Sequence, residues 1–281
     1  MKIGIVGVGV VGGAVKYGME KLGHDVSVHD IALDTELKDV LDTKVCFICV
    51  PTNELEDGSC DTSIVESVID SLVDIRYMGV VVIKSTVVPG ATERIKEKYL
   101  WSISDRLMGD KRKVSFFYEL CFVPEFLRER CAVSDFTENH NVCIIGCDSD
   151  EVFELIKKAH GKYPQEFFKM TATEAELSKY FSNVANALRI VFANGFYDIC
   201  QKLGADYTKI KDAVVQRPTL TDVYLDCNNN FRGFAGVCLP KDTAALANLA
   251  DYLGVPGKIF RTIVEDNKLY NPTVYEKMRL K

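Results

Sequence analysis

Lys2-Ile3-Gly4-Ile5-Val6-Gly7-Val8-Gly9-Val10-Val11-Gly12-Gly13-Ala14 is the stretch on which the fold turns: an apolar run passes into closely spaced glycines and then into a helix-like segment that ends at Gly23. The pattern predicts a β-strand over residues 2–6, a glycine turn, and a helix over residues 10–22. Gly7 permits the tight turn, Gly9 lets a pyrophosphate approach the backbone, and Gly12 lets the helix pack on the strand. With Val10 and Val11 they form a helix N-terminus, where backbone N–H groups and the helix dipole both favour an anion. A second strand over residues 25–29 leaves Asp30 at its end, 18 residues after Gly12. A carboxylate there accepts hydrogen bonds from the adenosine ribose hydroxyls, which favours NAD over NADP.

The alternation continues outward from this start. Short β-branched runs at residues 45–50 and 80–84 flank a helix-like segment at residues 63–72, and strands at 141–146 and 166–169 flank a helix at 149–160. This predicts an α/β, Rossmann-like, doubly wound sheet, a NAD-binding domain over residues 1–170. After Met170 the pattern changes. Thr171 and Thr173 each have a glutamate three residues on, the signature of a capping box, and Leu177, Phe181, Val184, Leu188 and Val191 then recur at helical spacing with no glycine until Gly195. A long linking helix follows from this, then helices at 207–216, 240–252 and 258–269, so residues 171–281 read as a mainly helical domain.

Composition narrows the function classes. With 281 residues, 47% of them apolar, the chain has material for two cores. Its 34 basic and 40 acidic residues are mixed, and a net charge of −6 argues against nucleic acid as a partner. The apolar runs, such as residues 79–83, are far shorter than the roughly 20 residues that cross a bilayer, and Met1 leads directly into a strand, leaving no room for a signal peptide. These features predict a soluble, cytoplasmic protein with no membrane partner. Ten cysteines without a secretory segment predict reduced thiols, and the Cys46/Cys49 pair lies in an apolar strand pattern. Only His24 and His29 lie close together in sequence, so no zinc motif exists and no metal is expected.

Four further segments carry chemistry: Val50-Pro51-Thr52-Asn53, Ser85-Thr86-Val87-Val88-Pro89-Gly90, Pro124-Glu125-Phe126-Leu127-Arg128-Glu129, and Gly233-Phe234-Ala235-Gly236-Val237-Cys238-Leu239-Pro240-Lys241-Asp242. Two directly follow expected strands, at the carboxyl edge of the sheet where open α/β folds bind ligands. Together with Glu176-Leu177-Ser178-Lys179-Tyr180 and Asn183, they resemble the nucleotide-sugar 6-dehydrogenases, the UDP-glucose dehydrogenase family, over nearly the whole chain and in order.

The resemblance implies an NAD-dependent, two-step oxidation of a sugar or sugar-nucleotide primary alcohol to a carboxylate, with the aldehyde held by Cys238 as a thiohemiacetal and then a thioester. Cys238 precedes Pro240, a favoured first helical residue, so a helix N-terminus and Lys241 both favour its thiolate, although taken alone it reads equally as an inert buried cysteine. Asp242, four residues on, is a candidate base or water-orienting group, or an ordinary first-turn acid. Lys179 and Asn183 share a helix face and suit a developing oxyanion, or form a solvated face. Glu125 and Glu129 read on their own as a helix-start pair. The resemblance assigns Glu125 to substrate and hydrolysis, with Phe126, Leu127 and Arg128 beside it on the substrate, and Glu129 to the nicotinamide side. It likewise assigns Thr52, Ser85, Thr86 and Lys241 to cofactor or catalytic water, and Asn228, Asn229, Asn230 and Phe231 to a loop against the sugar nucleotide. Pairing through the long helix would make a homodimer.

The resemblance has gaps. The family's third domain, a second α/β unit, has no counterpart here, Asp222 stands where the family carries an arginine, Ala235 replaces a glycine, and the connection from Asp30 to Val45 is short. Cofactor and thiol chemistry look intact, nucleotide recognition depleted. Another chain supplying the domain, a sugar without UDP, or loss of catalysis would each account for this. A one-step hydroxyacid dehydrogenase, or a non-catalytic NAD-binding subunit of a full-length dehydrogenase, are the alternative functions.

Overall fold

In the computed structural model, residues 1–56, 58–98, 119–236 and 238–271 are described. They separate into two compact units, one of Met1–Asn53 and Asp61–Lys179, the other of Glu54–Cys60 and Tyr180–Lys281. The first unit is built on a seven-stranded sheet in the order β2-β1-β3-β4-β5-β6-β7, with β1 Lys2–Val6, β2 Asp25–His29, β3 Val45–Ile48, β4 Val80–Ile83, β5 Glu119–Phe122, β6 Val142–Gly146 and β7 Glu166–Met170. Pairing is parallel except between β5 and β6, which run antiparallel through Phe122 and Gly146. The α/β class and the doubly wound arrangement are thus as the sequence implies, while β5 and the reversal beyond it are not among the expected strands.

Side chains alternate across this sheet because the strand period is two residues. Ile3, Ile5, Val45, Phe47, Val80 and Val82 pack on one face under the helices Val10–Lys21, Ala132–Thr137 and Asp150–His160. Cys46, Ile48, Val81 and Ile83 pack on the other under the helix Ser63–Asp74 and the start of the helix Ala172–Leu203. Both faces are covered, which is why these strands read as continuous apolar runs. The carboxyl ends of β1, β3, β4 and β5 therefore gather the loops at residues 7–9, 49–53, 84–90 and 123–128 along one edge.

The helix Ala172–Leu203 is 32 residues long, about 48 Å at 1.5 Å per residue. Thr171 and Glu174 cap it reciprocally: the Glu174 N–H donates to Thr171 Oγ1, and the Thr171 N–H donates to Glu174 Oε2. Thr173 and Glu176 do not repeat the motif. Glu176 instead turns inward and accepts from the Gly90 N–H and from the N–H and hydroxyl of Thr92, tying the loop after β4 to the helix. Burial raises its pKa against these donors. The helix also departs from the usual amphipathic rule, since Glu176, Lys179, Asn183 and Asn194 are buried whereas Leu177, Phe181 and Leu188, three of the five residues of the expected apolar stripe, are exposed, Phe181 by 79%. The reading of Lys179 and Asn183 as a solvated face is therefore overturned.

The second unit adds the helices Tyr207–Val214, Leu239–Tyr252 and Lys258–Asn267 to the distal part of the long one. One small core gathers Ala193, Tyr197, Cys200, Tyr207, Leu225 and Cys227, and another gathers Val184, Ala187, Phe234 and Ile263. The segment Glu54–Cys60, closed by a bridge between its end residues, belongs to this unit although it lies between β3 and the helix Ser63–Asp74 in sequence.

Candidate functional site

The glycine turn is fixed by backbone sterics. Gly7 has φ +89°, and its N–H donates to the His29 carbonyl at 2.8 Å, locking β1 to β2 where the turn begins. A Cβ on Gly12 would lie 1.9 Å from the Gly7 carbonyl oxygen, so only glycine lets the helix start this close to the strand. Space above Gly9 is open: a Cβ there would meet nothing within 4 Å. The helix Val10–Lys21 has no side-chain cap and no acidic residue in its first turn, which leaves its positive end to an anion. Asp30 accepts from the Val8 N–H at 2.6 Å and the Ala32 N–H at 2.8 Å, and these bonds hold its carboxyl below the usual carboxylate range. A carboxylate has about four acceptor sites, so capacity for ribose hydroxyls remains. These residues fit a dinucleotide.

The neighbouring loops of the first unit are cross-tied. Ser85 donates to the Val50 carbonyl at 2.7 Å, so its hydroxyl joins the loops after β3 and β4; Thr52 and Thr86, on those loops, are half-buried. Lys84, just before, is buried with its ammonium on the Val123 carbonyl, and desolvation lowers its pKa. After β5, Glu125 meets Lys179: the ammonium donates to the Glu125 carbonyl at 2.5 Å and to Oε1 at 3.1 Å, while Glu125 Oε2 accepts from the Leu127 N–H. The Lys179 ammonium also lies 5.6 Å from the centre of the Phe126 ring. Arg128 is forked onto the buried Asp135, whose pKa it pulls down to about 2, so this arginine braces its own loop. Glu129 opens a short 3₁₀ turn and is exposed.

The second unit holds a separate polar chain. Asp242 is 1% exposed; it accepts from Asn183 Nδ2 at 2.6 Å and from Lys241 Nζ at 2.7 Å, and Lys241 Nζ lies 3.8 Å from Cys60 Sγ. The expectation that Lys241 serves the Cys238 thiolate thus meets an ammonium already placed on Asp242 and Cys60. Cys238 is the N-cap residue of the helix Leu239–Tyr252, with Pro240 in the first turn, and its carbonyl accepts the Asp242 N–H at 2.9 Å. None of the ten cysteines is in a disulfide, and Cys238 is the one that is exposed, which removes the buried-inert reading. Cys49, by contrast, is pushed up to about 12 by burial.

Asn228 and Phe231 exchange backbone hydrogen bonds around a tight turn, Asn228 Oδ1 accepts the Asn230 N–H, and Asn229 Oδ1 accepts the Tyr197 hydroxyl. A cavity of about 300 Å³ beside this turn is lined by Tyr207, Thr208, Lys211, Asp226, Cys227, Asn228 and Phe231. Asp222 is held by Lys211 at 2.9 Å, together with Asp226. Among the described residues no cluster of histidine, cysteine or carboxylate suits a metal, and no helix is long and apolar enough to cross a membrane. Sequence reasoning missed Asp135, Arg232 and Cys60 and read Glu176 only as a capping and motif residue, because their partners lie elsewhere in the fold and leave no mark on local spacing.

Comparison with known proteins gives the family. Residues 32–163 match the NAD binding domain of the UDP-glucose/GDP-mannose dehydrogenase family, and residues 173–269 match its central domain. The first match begins after the glycine turn, so the turn is supported by its own geometry. A UDP-glucose 6-dehydrogenase of Pseudomonas aeruginosa is 31% identical over 241 residues, covering 84% of this chain and 51% of that protein. The UDP-glucose 6-dehydrogenase TuaD of Bacillus subtilis is 27% identical over 234 residues, 83% of this chain and 48% of its own length. Among solved structures, a UDP-glucose dehydrogenase from the hyperthermophilic archaeon Pyrobaculum islandicum matches with a TM-score of 0.82 at 26% identity, over 95% of this chain and 68% of that one. The chain spans about half the length of the curated relatives it matches. NAD is the cofactor of the matched domain. Two successive domain models in the right order, covering most of the sequence, show that the chain belongs to the UDP-glucose/GDP-mannose dehydrogenase family.

Proposed function

We propose that the chain oxidises the primary alcohol of a nucleotide-linked sugar to a carboxylate, in two NAD-dependent steps joined by a thioester on Cys238. The observation that carries this reading is the placement of Cys238: the one exposed cysteine sits at the N-cap position of a helix whose first turn buries Asp242 against Asn183 and Lys241. A helix N-terminus favours the thiolate. Gly7, Gly9, Val10, Val11, Gly12 and Asp30 would hold NAD, with Thr52, Ser85, Thr86, Glu129 and Lys241 in supporting roles, and the bound cofactor would supply the hydride acceptor for each oxidation.

Lys179, held by Glu125, supplies a fixed positive charge that polarises the sugar carbonyl, and the Asn183 amide adds a donor. The Cys238 sulfur adds to the aldehyde carbon; a C–S bond forms, and the carbonyl oxygen takes the electron pair and a proton. Loss of hydride from that carbon, with the hydroxyl proton passing to solvent, leaves the thioester. Water oriented by Asp242 and Glu125 then adds to the carbonyl, the C–S bond breaks, and the acid leaves as the thiol is restored. Glu125 to Arg128 and Asn228 to Phe231 are the proposed sugar-nucleotide contacts. We assign residues 1–170 to the cofactor and 171–281 to the helical domain, in the cytoplasm. A second copy of the chain covers the exposed Phe181, Leu188, Phe192 and Phe196 of the long helix, making a homodimer.

Purified protein incubated with NAD and UDP-glucose, GDP-mannose, a UDP-N-acetylhexosamine or the free sugars is expected to yield two NADH per acid, and Cys238→Ala to yield no acid and at most the first NADH. One NADH per product would instead establish a one-step dehydrogenase. NAD binding without turnover of any of these sugars would establish a non-catalytic subunit.

A further inference from the structure

The loop that delivers Cys238 contains Gly233 and Gly236, the latter at φ +87°, and its backbone would be loose if nothing held it. Two anchors do. Arg232 donates through Nε to Asn194 Oδ1 at 2.6 Å and through Nη2 to both carboxylate oxygens of Asp198 at 2.7 Å. Its guanidinium is flanked by two tyrosines, 5.0 Å from the Tyr197 ring centre and 5.1 Å from that of Tyr270, and the side chain is 15% exposed. Two residues on, the Asn267 side chain grips the backbone of Phe234 at both ends: Oδ1 accepts its N–H and Nδ2 donates to its carbonyl, each at 2.9 Å. Gly233 lies between the anchors, and a Cβ there would come within 2.8 Å of Asn267 Oδ1, so the loop passes against that side chain with no room to spare.

The geometry points to Arg232 and Asn267 as positioning residues for Cys238, holding the loop so that the thiol stays at the positive end of the helix Leu239–Tyr252. Arg232 is attached to the long helix through Asn194 and Asp198, and Asn267 belongs to the helix Lys258–Asn267, so two rigid elements fix a stretch that ends four residues before the cysteine. A planar guanidinium suits this place because it donates in its plane while stacking on aromatic faces, which an ammonium cannot do together. Released from the anchors, the thiol samples positions off the helix axis and loses part of the field that favours its ionised form.

The role rests on the reading of Cys238 as the nucleophile, yet its test needs no substrate. The rate of Cys238 alkylation by iodoacetamide is followed by peptide mass spectrometry between pH 5.5 and 9, in the parent chain, Arg232→Gln, Arg232→Lys and Asn267→Asp, beside thermal melting of each. The expected result is a slower reaction at pH 7 in Arg232→Gln, by about threefold or more, an upward shift of its pH midpoint, and partial recovery in Arg232→Lys. If Arg232→Gln fails to fold, Arg232→Lys and Asn267→Asp decide, each expected to show a smaller shift in the same direction. Folded variants that keep the parental pH profile, whatever their melting temperature, would overturn the assignment. Failure of the parent to oxidise any sugar would sink the proposed activity and leave this result standing.

Discussion

Two loops of this chain each open a helix, and they are held in opposite ways. The glycine turn at residues 7–12 is fixed by its own backbone: positive φ at Gly7 and a 1.9 Å clearance at Gly12 that no side chain tolerates. The stretch ahead of Cys238 is fixed at Arg232 and Phe234 by side chains that come from other helices, Asp198, Asn194 and Asn267. Neither helix has a side-chain cap, but the second carries Asp242 in its first turn where the first carries no acid. A loop determined by sterics announces itself as a glycine spacing. A loop determined by distant partners shows only as an arginine and an asparagine of no local meaning.

The sharpest way to break the first arrangement is Gly12→Val. The added carbons would press on backbone that cannot yield, and a loss of several kcal/mol, on the order of 3 or more, is expected in urea unfolding, with NAD binding abolished. Comparable folding and affinity in this variant would mean the turn is not steric at all. In the second unit the counterpart is Asp242→Ala, which strips a buried carboxylate from Lys241 and Asn183. Removing one partner of such a pair costs about 3–5 kcal/mol, to be read as a fall in the denaturant midpoint. A drop below about 1 kcal/mol would show that water replaces the carboxylate.

Acid should discriminate the units less strongly. Burial holds His140 down to about 4 and His160 well below its ordinary value of 6.5, and both belong to the first unit. The unfolded chain takes up these protons near pH 6.5 while the fold resists them. Stability is therefore expected to fall as pH drops from about 6.5 toward 4, by up to about 1.4 kcal/mol per pH unit for each histidine. His140→Gln should flatten that slope in urea titrations at pH 7 and 5; an unchanged slope would place the proton uptake elsewhere. The smallest change in stability belongs to Gly9→Ala. With nothing within 4 Å of the new methyl, unfolding should shift by less than about 0.5 kcal/mol. NAD affinity should nevertheless fall tenfold or more by calorimetry, because the methyl occupies the space through which a pyrophosphate approaches. Retained affinity would move the cofactor away from this turn.

Much of the first unit is legible in the sequence because a doubly wound sheet leaves strong local marks. Runs such as Val80–Ile83 are apolar throughout since both faces are covered. The reciprocal cap between Thr171 and Glu174 is likewise a local bond within four residues. Its apparent repeat at Thr173 and Glu176 misleads, because Glu176 finds better donors at Gly90 and Thr92, more than eighty residues away in sequence. The long helix misleads in the same way. Helical spacing marks Phe181 and Leu188 for a core, yet the residues that are buried are Lys179 and Asn183, each satisfied by a carboxylate from another part of its own unit.

The sequence by itself determined the dinucleotide turn, the α/β class and the residues that mark the family, because steric exceptions, strand periodicity and helix caps are set by neighbours along the chain. Tertiary structure alone decided which charges are paired, that Lys241 reaches Asp242 and Cys60, that Arg128 braces Asp135, and that Cys238 is the exposed thiol among ten. The physical reason is range. Backbone sterics act within a few residues, whereas burial of a charge is tolerable only when a partner, wherever it lies in sequence, arrives within about 3 Å.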